Sequence, residues 1–395
     1  MINEEFKKML SGKSVIRELS EYATARGKEI GYENVFDYSL GNPSVPCPDE
    51  YTKAVIDIYN SKDPMEIHGY SPSLGNTSAR EYLAKELRER FDIPYETKHI
   101  FMTSGAASSL AHAFRLVTKP GDEIIGFAPF FPEYVPYISA TGAKFTIVSA
   151  DTSDFQIKFD ELEEKLNPNV QAILINSPNN PSGVVYSEET LKRLASLLEE
   201  KQKEYNHDIF LISDEPYREI AFDGKKTPYP SHYYDNTISC YSYSKGMSLP
   251  GERIGYMAFN PKCTDSDIAA IICGQISRGI GHNCPSATQQ LALVKTGFKL
   301  SDLSVYETNA NIIYNELVDL GFSVVKPQGT FYIFPKALEE SSIEFCNKAK
   351  KYDLLLVPGD SFGCPGYFRM AYCIDTEKVK RSMPVLRRFV EECYR

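Results

Sequence analysis

Residues 208–217 read DIFLISDEPY: an unbroken apolar run, Ile209–Ile212, that ends on Ser213, Asp214 and Glu215. A strand that is apolar on both faces is covered on both faces, as the inner strands of parallel α/β sheets are. Neighbouring segments repeat the pattern. DEIIGFAP (122–129), KFTIVSA (144–150), VQAILINSP (170–178), TISCYSYSK (237–245) and RIGYMAFN (253–260) read as further strands, and GAASSLAHAFRLV (105–117) and EETLKRLASLLEEKQKEY (188–205) read as helices between them. Apolar strands separated by helices predict an α/β fold with a mostly parallel sheet between two helical layers.

Past residue 285 the pattern changes. Two helical stretches, 286–296 and 301–320, precede the short runs FSVVKP (322–327), GTFYIFP (329–335), DLLLVPG (353–359) and YFRMAYC (367–373), with a helix between them and a helix last. We expect a large domain at 48–285, a smaller α+β domain at 286–395, and an N-terminal segment at 1–47 that packs on the smaller one. A chain of 395 residues is long enough for roughly two or three such units. The net charge of −10 and pI near 5.3 argue against a nucleic-acid footprint or an anionic membrane surface. The nine cysteines form no CxxC pair and the histidines lack metal spacing, so no metal site is expected and the thiols read as reduced. The first ten residues, MINEEFKKML, are charged and carry no apolar core of a signal peptide. With no apolar run of membrane-spanning length, a cytoplasmic location is expected.

In open α/β sheets ligands sit at the carboxyl ends of the strands, and four motifs fall there. TSGAASSL (103–110) is a small-residue turn opening a helix; the amides of Gly105, Ala106 and Ala107 suit a phosphate, and an ordinary helix start capped by Ser104 is the plainer alternative. SPNNPSG (177–183) is a turn that presents Asn180. SDEPY (213–217) leaves Asp214 on a buried strand end, which costs on the order of several kcal/mol unless something pairs with it. SYSK (242–245), with Arg253 eight residues on, puts a lysine among small residues with no carboxylate beside it in sequence.

Together these are the parts that hold pyridoxal phosphate. The phosphate takes the loop amides, the Ser242 hydroxyl and Arg253; the pyridine nitrogen takes Asp214; the 3-oxygen takes Asn180 and Tyr217; and the aldehyde takes the Lys245 amine as a Schiff base. Phe131 in PFFPEY (129–134) offers a flat cover for the ring.

With those motifs in this order, the chain resembles the class I/II aminotransferases of fold type I, from about residue 15 to its C-terminus. SLGNPSVPCP (39–48) is similar to the segment that places a glycine, here Gly41, near substrate. GYSPSLGNTSARE (69–81) is similar to the stretch whose tyrosine, here Tyr70, reaches the neighbouring subunit's phosphate. NNPSG, SDEPY and SYSK…GERIGY match the cofactor turns, and YFRMAYC places Arg369 where the family grips the substrate α-carboxylate, aided by Asn180. The resemblance implies a homodimer with shared active sites, and a ping-pong reaction through a Lys245 aldimine that passes an amino group from an L-amino acid to a 2-oxo acid. It names Lys245, Asp214 and Tyr217 as the catalytic group.

For substrate the residues say less. SRGIGHNCP (277–285) sets Arg278 five residues before Asn283, the spacing with which one subgroup binds a distal carboxylate, although Cys284 stands where that subgroup has proline; an exposed arginine on a helix end is the alternative. Ala107 stands where other members carry a lysine for the same purpose. His282 reads as structural. The expectation is an aspartate-type enzyme using 2-oxoglutarate. Its rivals are an aminotransferase for alanine, aromatic or branched amino acids, and a β-lyase acting on cysteine conjugates. A transcription regulator built on this fold needs a DNA-binding extension, and none is expected in an acidic chain that enters the family-like segment at once.

Overall fold

The computed structural model describes Lys7 and residues 15–395. The rest of the charged N-terminal stretch discussed above lies outside the described residues. The chain divides into two compact units: one of Val45–Asn180 and Val184–Leu303, the other of the residues up to Ser44, Pro181–Gly183 and Ser304–Arg395.

The larger unit is built on a seven-stranded sheet. In chain order its strands are β1 (Ile100–Thr103), β2 (Glu123–Phe127), β3 (Lys144–Val148), β4 (Val170–Asn176), β5 (Phe210–Asp214), β6 (Thr237–Ser242) and β7 (Gly255–Phe259), and they lie side by side as β1-β7-β6-β5-β4-β2-β3. All neighbours are parallel except β7, which runs against both β1 and β6. Five of the predicted strands meet their expected segments closely, and RIGYMAFN yields β7 from its third residue. The sequence reading missed β1, a run of four residues that follows a 3₁₀ turn and has too little length for its periodicity to register.

Alternation along the strands explains the two-sided cover. Ile124, Leu174 and Ile212 share one core with Leu110 and Phe114 of helix Ala106–Val117 and Cys273 of helix Ser266–Ile280. Their chain neighbours Ile125, Ile173, Ile175 and Leu211 face the other way, against Leu191, Leu194 and Leu198 of helix Glu188–Tyr205. That helix starts where Ser187 accepts a hydrogen bond from the Thr190 amide. A third core joins Tyr51 and Ile58 of helix Asp49–Ser61 to Leu83 and Leu87 of helix Thr77–Phe91 and to Ala292 and Leu293. Because of those contacts helix Ala287–Thr296 belongs to the larger unit, and the chain leaves that unit after Leu303, beyond the boundary at 285 that composition suggested.

In the smaller unit Phe36–Asp37 pairs in parallel with Leu354–Leu355, and Val357–Pro358, Phe368–Ala371 and Tyr332–Ile333 form an antiparallel sheet. Helices Val15–Ile30, Ser304–Asp319, Ser342–Lys350 and Thr376–Tyr394 complete it. FSVVKP forms no strand: Ser323 accepts a single bond from the Lys336 amide, and Pro327 has no N–H to extend a ladder. Among the described residues no helix is long and apolar enough to cross a membrane.

The central strands carry the packing. Ile212→Ala, at a fully buried position of β5, is expected to lower the unfolding free energy by ~2–5 kcal/mol, read as a lower urea midpoint. Lys192→Ala, which removes an exposed ion pair with Glu188, is expected to leave the midpoint unchanged.

Candidate active site

Strand register assembles the site. Asn176 of β4 pairs with Asp214 of β5, and Asp214 with Cys240 of β6. At the next sheet positions Ser242 of β6 pairs with Gly255 of β7, and Gly255 with Thr103 of β1. The carboxyl ends of β1, β4, β5 and β6 therefore emerge on one edge, each bearing a polar side chain that its apolar run did not need.

At the β1–β6 side lies an anion cradle. Gly105 has φ +90° and opens helix Ala106–Val117, whose first amides have no partner within the helix. Arg253, itself left-handed at φ 53°, donates from Nη2 to the Ser104 carbonyl at 3.0 Å and from Nη1 to the Pro250 carbonyl at 2.8 Å. A methyl group on Gly105 would come within 2.9 Å of Arg253 Nη2 and 3.5 Å of Ser242 Oγ, so loop, hydroxyl and guanidinium converge on one spot. Gly255 permits the approach: a side chain there would strike the Tyr241 carbonyl and lie 3.0 Å from Gly105 Cα. The Ser242 hydroxyl lies 2.7 Å from that of Ser244 and accepts from the Ser244 amide at 3.2 Å, starting the turn Tyr243–Gly246.

At the β4–β5 side Asp214 is buried. Its Oδ2 accepts from Tyr134 Oη at 2.5 Å and from Asn176 Nδ2 at 3.4 Å. Its Oδ1 has no hydrogen-bond partner among the described residues. Burial pushes the Asp214 carboxyl up to about 7; the Tyr134 bond opposes the shift and the Glu215 charge adds to it. Asn176 also accepts from the Asn180 amide at 2.7 Å, tying the NNPSG turn to the same strand end. Lys245 is half-buried on the turn after β6, with Nζ 5.8 Å from the centre of the buried Tyr217 ring. Phe131 is half-buried and stands edge-on to Tyr134 at 5.6 Å.

Thus Gly105, Ala106, Ala107, Ser242, Arg253, Asp214, Asn180, Tyr217, Lys245 and Phe131 all lie at the strand-end edge of the larger unit. Sequence reasoning missed Tyr134, Asn176 and Ser244. Each had a visible signal: Tyr134 closes the quoted PFFPEY, Asn176 is a polar residue closing a buried strand as Asp214 does, and Ser244 sits inside SYSK.

The remaining predicted residues are elsewhere. In the smaller unit Arg369 is buried; Nη2 donates to the Ser39 carbonyl at 2.5 Å and the guanidinium lies 4.6 and 4.9 Å from the Tyr332 and Phe362 rings. A side chain on Gly41 would overlap the Tyr332 hydroxyl, so Gly41 and Arg369 share that tyrosine, which the sequence reading did not single out. Tyr70 is fully exposed. Arg278 is exposed in the last turn of helix Ser266–Ile280. His282 meets the Ser108 hydroxyl at 2.6 Å.

Residues 33–386 match the family of class I and II aminotransferases. The chain belongs to this family. It is similar to a probable N-acetyl-LL-diaminopimelate aminotransferase of Bacillus subtilis, 31% identical over 91% of this chain and 90% of that one. Among solved structures it is similar to an amino transferase from Eubacterium rectale, with a TM-score of 0.96 and 43% identity over all of both chains. It is likewise similar to the aspartate aminotransferase of Thermotoga maritima, with a TM-score of 0.85 and 27% identity over 96% of this chain and 97% of that one.

Class I/II aminotransferases depend on pyridoxal phosphate, and the residues present fit that group. Asp214 offers a buried, unpartnered oxygen to a protonated ring nitrogen, and the Gly105 cradle leaves room for a phosphate where any side chain would intrude. The aminotransferase without cofactor has a pH signature. Folded Asp214 titrates above its unfolded value, so the folded chain holds a proton that the unfolded chain has released; stability falls as pH rises from about 4 to about 7. Relative to Asp214→Asn, the wild-type apoenzyme should lose up to ~4 kcal/mol across that window in urea titrations. Added pyridoxal phosphate should reduce the loss.

Proposed function

We propose that this aminotransferase moves the amino group of aspartate to 2-oxoglutarate by a ping-pong route with Lys245 as the base. The observation that carries the chemistry is the pairing of the buried, half-satisfied Asp214 carboxyl on β5 with Lys245 at the end of the adjacent β6. Bound there, pyridoxal phosphate supplies a carbonyl that accepts the amino group and a ring that withdraws electrons from the Cα–H bond.

The chain supplies the rest. The amides of Gly105, Ala106 and Ala107, the hydroxyls of Ser242 and Ser244, and Arg253 hold the phosphate. Asp214 keeps the proton on the ring nitrogen, and Tyr134 and Asn176 hold Asp214. Asn180 and Tyr217 hydrogen-bond the 3-oxygen, and Phe131 covers the ring. Lys245 takes the proton from Cα of the amino acid and returns it to C4′, acting as base and then acid. Arg369 takes the α-carboxylate; its fixed fork matches a carboxylate in a way a lysine does not.

The family resemblance supports a homodimer in which Tyr70 reaches the partner's phosphate, and the full exposure of Tyr70 fits that assignment. Arg278, exposed on its helix end, is assigned to the distal carboxylate of the substrate in the neighbouring subunit. The likeness to the Thermotoga maritima aspartate aminotransferase supports the aspartate reading. A second reading follows the Bacillus subtilis relative, whose named substrate is a longer acylated diamino acid; there Arg278 would meet a terminal carboxylate or none.

Half-reaction spectroscopy tests the proposal. Enzyme loaded with pyridoxal phosphate should show a visible band that Lys245→Ala lacks. Aspartate and glutamate should bleach it within seconds, and 2-oxoglutarate should restore it. Bleaching by N-acetyl-LL-diaminopimelate but not by aspartate would move the protein to the second reading, and a band that survives in Lys245→Ala would remove Lys245 from its role.

Side-chain truncation then separates the two arginines. Arg278→Ala should lower kcat/KM for aspartate and glutamate ~10–100-fold, the scale of a lost charged hydrogen bond, and leave alanine unaffected. Arg369→Lys should weaken every amino acid alike. Equal loss for alanine in Arg278→Ala would refute the distal-carboxylate assignment.

A further inference from the structure

Behind the strand ends, on the side away from the cradle, lies a group of charges that the mechanism does not use. Arg218 is the second ionic residue after Asp214 and is nearly fully buried. Its guanidinium is divided among three partners: Nη1 to Glu215 Oε2 at 2.8 Å, Nε to Glu219 Oε1 at 3.3 Å, and Nη2 to Tyr256 Oη at 2.7 Å. It lies 4.2 Å from the centre of the Tyr241 ring and 5.1 Å from that of Phe91. Glu219 is in turn held by both oxygens to Arg90 Nη2, at 3.0 and 2.9 Å, and Arg90 Nη1 meets Glu86 at 2.8 Å.

The placement of these contacts is specific. Glu215 and Arg218 bracket the turn Asp214–Glu215–Pro216–Tyr217–Arg218, and the Glu215 amide donates to the Cys240 carbonyl of β6 at 2.9 Å. Their ion pair, between residues three apart, closes that turn, with Asp214 just before the paired residues and Tyr217 between them. Tyr256, which Arg218 meets at its hydroxyl, and Tyr241, which it meets at its ring, lie opposite one another on β7 and β6 and are packed 5.1 Å apart. Tyr243, at the first position of the lysine turn, packs edge-on against Tyr241 at 5.1 Å. Glu219 lies directly beneath Gly246, next to Lys245: a methyl group on Gly246 would come within 3.2 Å of Glu219 Cγ. One buried cation thus touches the turn that bears Asp214 and Tyr217, and through Glu219 and Tyr241 it supports the turn that bears Lys245.

We propose that Arg218 is a positioning residue, whose three-way fork sets Tyr217 and Lys245 relative to Asp214. The inference rests on the assignment of those three residues to the cofactor. Fork geometry is the essential property, because an ammonium is a compact point charge whose donors share one nitrogen, while the guanidinium reaches Glu215, Glu219 and Tyr256 from three separate nitrogens in fixed directions. A buried pair that served stability alone would be replaceable by neutral groups of similar volume; a clasp that serves position would not.

Two variants separate these roles, measured on full-length protein. Arg218→Lys keeps the charge and loses the fork. Titration of its folded apoenzyme should give a pyridoxal phosphate Kd on the order of tenfold above wild type, the scale of a lost charged hydrogen bond. In the loaded enzyme kcat should fall while KM for the amino acid stays within a factor of about two. The double variant Glu215→Gln, Arg218→Met removes both charges, and its urea midpoint should return toward wild type, with the weak Kd and low kcat remaining. Wild-type Kd and kcat in Arg218→Lys would overturn the proposal, as would recovery of both in the double variant, which would make charge balance the whole role. If wild type itself bound pyridoxal phosphate without a Lys245-dependent band, the cofactor assignment would fail first and the inference with it.

Discussion

A carboxylate at the end of a buried strand is the constraint on which the larger unit turns. Asp214 sits where β5 leaves a sheet covered on both faces, and burial, aided by the Glu215 charge and opposed by the Tyr134 bond, pushes its carboxyl up to about 7. The neighbouring strands answer it: Tyr134 donates to one oxygen, Asn176 approaches the same oxygen and the Asp214 carbonyl, and the other oxygen has no partner among the described residues. A carboxylate so arranged is stable as an anion only when a cation arrives, and a protonated ring nitrogen is a cation of suitable shape. In the proposed reading, structure and chemistry share one electrostatic problem, and the cofactor is part of its solution.

The same economy of position recurs around it. The anion cradle is built with β7 running against its neighbours: Gly255 sits between Thr103 and Ser242, and a side chain there would come within 3.0 Å of Gly105 Cα. The lysine turn rests on Tyr241, Tyr243 and Glu219, and these rest on Arg218. The candidate cofactor residues and the Arg218 group thus share the strand ends of β5, β6 and β7, joined by packed rings and ion pairs.

Much of this was legible in the linear chain. Buried strands are apolar on both faces, so a Lys or Asp that closes one stands out, and Lys245 and Asp214 were found in that way, while Asn180 was found on the turn that follows a strand. Tyr134 was not, because a tyrosine after an apolar strand is ordinary core until its hydroxyl is seen on Asp214. Arg218 stands beside Glu219 in PYREI with nothing in the chain to mark it as buried, and only the fold reveals that it lies against three rings. Strand β1 escaped notice because four residues carry too little periodicity, and FSVVKP failed as a strand because its proline and lack of a partner outweigh its β-branched residues.

By itself, then, the amino-acid sequence determined the α/β class, the order of the motifs and the identity of the cofactor, since these depend on local periodicity and on residue types that few other chemistries need together. Tertiary structure decided which strands are neighbours, that β7 is reversed, that the helix Ala287–Thr296 belongs to the larger unit, and which buried groups lie against the candidate site residues. The physical reason is range. A residue's type and its chain neighbours set what it can do, but desolvation and hydrogen-bond partnership are set by groups that the fold brings from far along the chain, as Tyr134 is brought to Asp214 across 80 positions and Arg253 to Ser104 across 149.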